Sequence, residues 1–139
     1  TIMKRMSVSK PKTAVRSVMS SDDILAMRKS LDSIHTSEAL EKYVLRIVDA
    51  TRNSDNYGLE ELSALISHGV TPRASICLVK GAKAHALLEG RDFVTPADVK
   101  WIAPDVLRHR ISITYKAEAD GKDVEYIIGR ILDTIETVA

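Results

Sequence analysis

Gly69-Val70-Thr71-Pro72-Arg73-Ala74-Ser75 is the stretch of this chain best suited to chemistry, because it sets one arginine at the mouth of an otherwise apolar helix. Thr71 can accept a hydrogen bond from an orphan backbone N–H, Pro72 suits the first helical position because no donor is needed there, and Gly69 lets the chain turn in. Arg73 then falls within the first helical turn. Its fork of donors projects beside main-chain N–H groups at the positive end of the helix, and together they favour an anion such as phosphate. An arginine so placed is more commonly a plain solvated residue, so the phosphate role has to be weighed against the rest of the chain.

Other chemistry is thinly represented. The sequence holds neither a G-x-x-x-x-G-K-[ST] phosphate loop nor a G-x-G-x-x-G fingerprint, so it cannot cradle a nucleotide alone. His35, His68, His85 and His109 are dispersed and Cys77 is the single cysteine, which argues against a zinc site. His85 falls on the apolar side of its helix and reads as a hydrogen-bonded core histidine. No G-x-S-x-G motif selects a nucleophile, which argues against an independent hydrolase. Arg108-His109-Arg110 could meet nucleic-acid phosphates, but the cluster is short and has no aromatic among it. The charge balance also opposes that reading. Of 20 basic residues, five lie in Thr1–Ser21 with no acid beside them, which leaves 15 against 19 acids in the remainder.

The elements that must position Arg73 follow from patterning. At 139 residues with 45% apolar and only 4% aromatic content, the chain is about one domain long with an aliphatic core suited to helices packed on helices. Residues 1–19 show no sustained period and are expected to be mobile. The start at Thr1 reads as a piece cut from a longer protein. No secretory signal occurs and no apolar run approaches the ~20 residues that cross a bilayer, which with a lone, apolar-flanked and therefore buried Cys77 suggests a reducing, cytoplasmic setting.

Ser21-Asp22-Asp23 opens a first helix carrying Ile24, Leu25, Met27 and Leu31. Thr36 or Ser37 starts a second, where Leu40, Tyr43, Val44, Ile47, Val48 and Thr51 form one stripe and Glu38 and Lys42 pair on the other face. Leu59–Ile66 suits a short helix. The third main helix runs from Pro72 to about Leu88, with Arg73, Lys80 and Lys83 on one basic edge within about 80° of one another at about 100° per residue. Thr95-Pro96-Ala97-Asp98 caps a fourth helix, which Pro104 is expected to kink or end. Arg108–Tyr115 alternates enough for one short strand, with the segment around Ser33–His35 as its expected partner. Val124, Ile127, Ile128, Ile131, Leu132 and Ile135 lie on a last amphipathic helix.

Six strings in order carry a family likeness: Ala50-Thr51-Arg52, Tyr57-Gly58-Leu59, Gly69–Ser75, Gly90-Arg91-Asp92, Val94–Lys100 and Val106–Ile111. Over about residues 20–138 the chain resembles the C-terminal lid of MoxR-type AAA+ ATPases. The usual family turn is Gly-Ala-Ser-Pro-Arg-Ala. Val70 and Thr71 depart from it conservatively, and threonine keeps a hydroxyl at that position. The resemblance implies an all-α lid of four to five helices with a minor two-stranded element over residues 20–139, and residues 1–19 as the tail of the missing AAA+ core. It implies that Arg73, supported by Gly69, Thr71 and Pro72, is the sensor-2 arginine reaching the γ-phosphate of ATP held in the core. It further implies ATP and Mg2+ in the full-length parent and none in this fragment, and no catalytic residue here. A hexameric ring, neighbouring subunits and von Willebrand factor A-type proteins as partners, and a chaperone-like role in maturing or activating protein complexes are implied in the same way. Two rivals remain. Thr95–Val99 also resembles the closing helix of histone-fold modules, which would mean a DNA-binding or dimerising unit, and a free-standing adaptor is the other. Neither the client nor the oligomeric state of the fragment follows from the sequence.

Overall fold

Burying the stripe Leu40, Tyr43, Val44, Ile47 and Val48 requires other helices to cover it, and its position sets the centre of the molecule. In a computed structural model, which describes residues 16–136, seven α-helices and a two-stranded sheet surround that stripe. Five helices span ten residues or more: α1 (Ser21–Ser30), α2 (Glu38–Ala50), α4 (Arg73–Leu88), α5 (Pro96–Leu107) and α7 (Val124–Thr134). The other two, α3 (Glu60–Ser63) and α6 (Tyr115–Ala119), are about one turn each. Strand β1 (Ile66–His68) precedes α4 and β2 (Ser112–Ile113) follows α5. The architecture is therefore the expected all-α bundle with a minor β element. Residues 1–15, most of the stretch expected to be mobile, and 137–139 lie outside the described residues.

The helix starts follow local chemistry. Ser37 accepts the Leu40 N–H at 3.2 Å, Asp123 accepts the Tyr126 N–H at 2.8 Å, and Ser20 and Asp23 form a reciprocal box at the start of α1. The Glu38–Lys42 pair forms at 2.7 Å on the solvated face of α2. Ala74, Leu78, Ala82 and Ala86 of α4 are buried against α5, which supplies Val99, Ala103 and Leu107. Gly81 permits this approach, since a Cβ there would lie 2.6 Å from Cγ1 of Ile102. Ile127, Ile128, Ile131 and Leu132 of α7 close the core from the other side.

Three expectations are corrected. The strand near Ile113 does not pair with Ser33–His35; β2 pairs antiparallel with β1, Ile113 opposite Ile66. Ile34 is buried, and the main chain of His35 is already engaged: its N–H donates to Asp92 O at 2.8 Å and its carbonyl accepts from Val94 N at 3.0 Å. Ile66–His68 is left as the free partner. The alternating stretch is also shorter than expected, because the Thr114 hydroxyl accepts the Ala117 N–H at 3.3 Å and starts α6 instead. Finally, of the two outcomes expected at Pro104 the ending does not occur: α5 runs on to Leu107, with Arg108 N donating to Pro104 O at 3.0 Å. A proline deletes one donor to the preceding turn, and burial of Ala103 and Leu107 outweighs that loss.

Candidate functional site at the mouth of α4

Arg73 is exposed at the first residue of α4, and among the described residues its guanidinium has no hydrogen bond or ion pair. The expected solvated side chain on a buried helix is thus present. The way the helix starts differs from expectation. Thr71 does not cap through its hydroxyl. Pro72 already sits at φ −54°, ψ −23°, so the first turn is tight: Ala74 N donates to Thr71 O at 2.9 Å and Ser75 N to Pro72 O at 3.1 Å. Main-chain carbonyls take the donors that a hydroxyl would have received. Those two N–H groups are consequently not open to an anion, and the guanidinium is the free charged donor group at this mouth.

Gly69 also has a different role from the one expected. Its φ is not positive, so no turn conformation demands glycine. A Cβ there would instead lie 2.2 Å from the carbonyl oxygen of Thr51, so the main chain rests directly on the end of α2. Thr51, 1% exposed, completes that contact: its hydroxyl donates to Val48 O at 2.8 Å and accepts the Val70 N–H at 3.0 Å. Sequence reasoning placed Thr51 in the apolar stripe of α2 without giving it a role. A hydroxyl at the buried end of an apolar stripe was the available signal.

An open cleft of about 560 Å³ lies beside this turn, lined among others by Arg52, His68, Thr71 and Pro72. The other basic residues of α4 are elsewhere. Lys80 and Lys83 line a groove between α1, α2 and α4 together with Leu45 and Ile76, and Arg73 does not reach it. The Arg108–Arg110 triplet is partly spoken for: Arg108 pairs with Glu125 at 2.5 Å and Asp105 at 3.1 Å, and Arg110 Nη2 lies 3.8 Å from Cys77 Sγ. Cys77 is half-buried and not fully buried as expected, because it borders this exposed arginine.

A second polar cluster sits at the far end of α4. Asp98 is fully buried and accepts both arms of Arg91, at 2.8 and 2.6 Å, the Thr95 N–H at 2.7 Å and the Thr95 hydroxyl at 2.8 Å. His85 Nδ1 lies 2.6 Å from the same carboxylate, and its ring stacks on Trp101 at 4.2 Å. His85 has the hydrogen bond expected of it but is only part-buried, 17% exposed, because its ring stacks on the exposed Trp101 at the rim of the core. Arg91 above all, against the opposing effect of burial, holds the Asp98 carboxyl well below the usual carboxylate range. Both carboxylate oxygens of Asp98 are engaged, by Arg91, Thr95 and His85, which makes the cluster a structural tie between α4 and α5.

No helix among the described residues is long and apolar enough to cross a membrane. The sequence profile of the AAA lid domain matches residues 61–131. Chaperone MoxR1 of Mycobacterium tuberculosis is 37% identical over 134 residues, which are 96% of this chain and 35% of that protein. Protein MoxR of Paracoccus denitrificans is 40% identical over 84 residues, 58% of this chain and 25% of its own length. The crystal structure of a candidate ATPase from Cytophaga hutchinsonii superimposes with a TM-score of 0.92 at 38% identity, covering 99% of this chain and 42% of that one. The chain therefore spans about a third of the first relative's length. With the helical bundle and the exposed arginine at the head of α4, these matches place the chain in the AAA lid domain family, as a lid of the MoxR type.

Proposed function

We propose that this domain is the nucleotide-sensing lid of a ring-forming ATPase, with Arg73 as the residue that reads the γ-phosphate of ATP bound in the core of the parent protein. The observation that carries the reading is a free guanidinium on the first turn of a helix whose opposite face is buried at Ala74, Leu78, Ala82 and Ala86. A charge mounted on a buried helix moves only with the whole lid, so loss of its phosphate partner translates into rotation of a rigid body.

Arg73 fits one part of a nucleotide site. A planar fork can take one phosphate, whereas the Ala74 and Ser75 N–H groups are already bonded and cannot share the load. The phosphate loop and the groups that hold Mg2+ would belong to the core. Bound ATP supplies the phosphoryl group whose transfer to water is the chemical event. Arg73 would orient that phosphate and offset the charge that shifts on it. The reading extends to a hexameric ring, a cytoplasmic setting, von Willebrand factor A-type partners and chaperone-like maturation or activation of protein complexes. The name Chaperone MoxR1 on a 37% identical relative supports the chaperone-like part of that extension.

The test is turnover by the parent protein. Arg73→Ala should lower kcat at least ~100-fold, about 2.7 kcal/mol, and Arg73→Lys should recover only part, since lysine keeps the charge without the fork. Both variants should leave the stability of the lid within ~0.5 kcal/mol, as expected for an exposed side chain without partners. Normal turnover with alanine, or a lid that unfolds, overturns the sensor role.

A further inference from the structure

Arg73 can report on phosphate only if its helix mouth is held in a defined place, and the structure shows one buried contact that does the holding. The Thr51 hydroxyl spans two elements: it donates to Val48 O inside α2 and accepts the N–H of Val70, three residues before Arg73. Thr51 and Val70 are each 1% exposed, so water cannot replace either bond. Gly69 brings the two segments into register, because any Cβ would meet the Thr51 carbonyl oxygen at 2.2 Å and its carbon at 2.7 Å. From Val70 to Arg73 the path is short and stiff. Pro72 fixes φ near −54° and the Thr71 carbonyl is bonded to Ala74 N, so a displacement at Val70 is passed to Arg73 rather than absorbed.

We infer that Thr51 is a positioning residue for Arg73: its hydroxyl, seated against the bare backbone of Gly69, locks the mouth of α4 to the end of α2 and so sets where the sensing guanidinium stands. This rests on the assignment of Arg73 above. Thr51 touches no nucleotide itself. Its contribution passes through the Val70 amide, and a misplacement of about 1 Å at a reacting centre is enough to cost up to ~100-fold in rate.

Two measurements test it. In the 139-residue chain, hydrogen exchange read by NMR should show the Val70 amide exchanging on the order of 100-fold faster in Thr51→Val, with the amides of α7 little changed and Thr51→Ser retaining protection. Gly69→Ala, which leaves the hydroxyl in place but pushes the turn away, should expose the same amide and guards against a Thr51→Val variant that fails to fold. In the parent protein, Thr51→Val should lower kcat about 10-fold with KM for ATP within about twofold, and Thr51→Ser should restore most of the rate. Combined with Arg73→Ala, Thr51→Val should add no further loss, because a residue acting through Arg73 has nothing left to act through. Additive losses, or a Val70 amide as protected in Thr51→Val as in the unmodified chain, overturn the inference. Normal turnover of Arg73→Ala alone would remove the sensor role and with it the effect on rate. The Val70 exchange would then decide the lock by itself.

Discussion

Asp98 shows how far one carboxylate can organise its neighbourhood. The motif Thr95-Pro96-Ala97-Asp98 announces a helix start, and that part was legible because a capping box is local in sequence. Arg91 and His85 joining the same carboxylate was not legible, since His85 lies thirteen residues away and reaches Asp98 only when α4 and α5 pack. The consequence is a pH dependence with a definite sign. A carboxyl held below its unfolded value, about 3.9, stabilises the fold fully above that pH, and the contribution is lost as pH falls through the folded value. Asp98→Asn should cost about 2–4 kcal/mol at pH 7, somewhat below the usual loss on breaking a buried pair because Arg91 keeps 28% exposure. Denaturant midpoints measured from pH 7 down to pH 2 should show the gap between the two proteins narrowing below about pH 4, where the unfolded chain takes up a proton at Asp98 while the folded one still resists it, and closing only as pH reaches the depressed folded value. A gap that stays constant over that range would mean that the network does not stabilise through the charge.

At the scale of elements, periodicity was a reliable guide wherever one face is buried. The stripes of α2 and α7 are buried almost as the spacing demands, with Val124 only partly covered, because a step of three and four residues has one geometric solution. Strand pairing was not predictable, since nothing in Ser112–Ile113 encodes whether β1 or the Ile34 segment reaches it. Glycine inside helices illustrates the same division. Gly81 and Gly129 are alike in sequence, each a helix-interior residue that alanine should improve by up to ~1 kcal/mol. In the structure a Cβ on Gly81 meets Ile102 Cγ1 at 2.6 Å, whereas a Cβ on Gly129 meets nothing within 4 Å. Thermal or denaturant unfolding should therefore find Gly81→Ala destabilised by about 1–2 kcal/mol and Gly129→Ala stabilised by about 0.5–1. Effects of the same sign at both sites would contradict the close α4–α5 approach.

For the whole molecule, the informative property is what the bundle leaves uncovered. Helix α1 buries none of its residues, with Ile24 and Leu25 52% and 53% exposed, and Arg73 faces solvent at the head of α4. A single exposed charge contributes little net binding free energy, so the 139-residue chain should bind ATP no more tightly than about millimolar and should not hydrolyse it. Calorimetry with Mg-ATP checks this directly. Micromolar affinity would require a nucleotide site inside this chain and would count against a lid that borrows its site from a core.

Residue types and spacings alone determined the helical class, the long helices and most of their buried faces, because helix periodicity and capping are local and the aliphatic composition leaves little alternative. They also singled out Arg73, since a proline and an arginine at a helix start are readable as a string. Tertiary structure decided what holds that arginine. Thr71 does not cap through its hydroxyl, Gly69 is required by the Thr51 carbonyl rather than by a turn, and Thr51 is a bridge rather than one more stripe residue. Each of these depends on the end of α2 meeting a loop nineteen residues further on, a proximity created by packing and absent from any window of sequence.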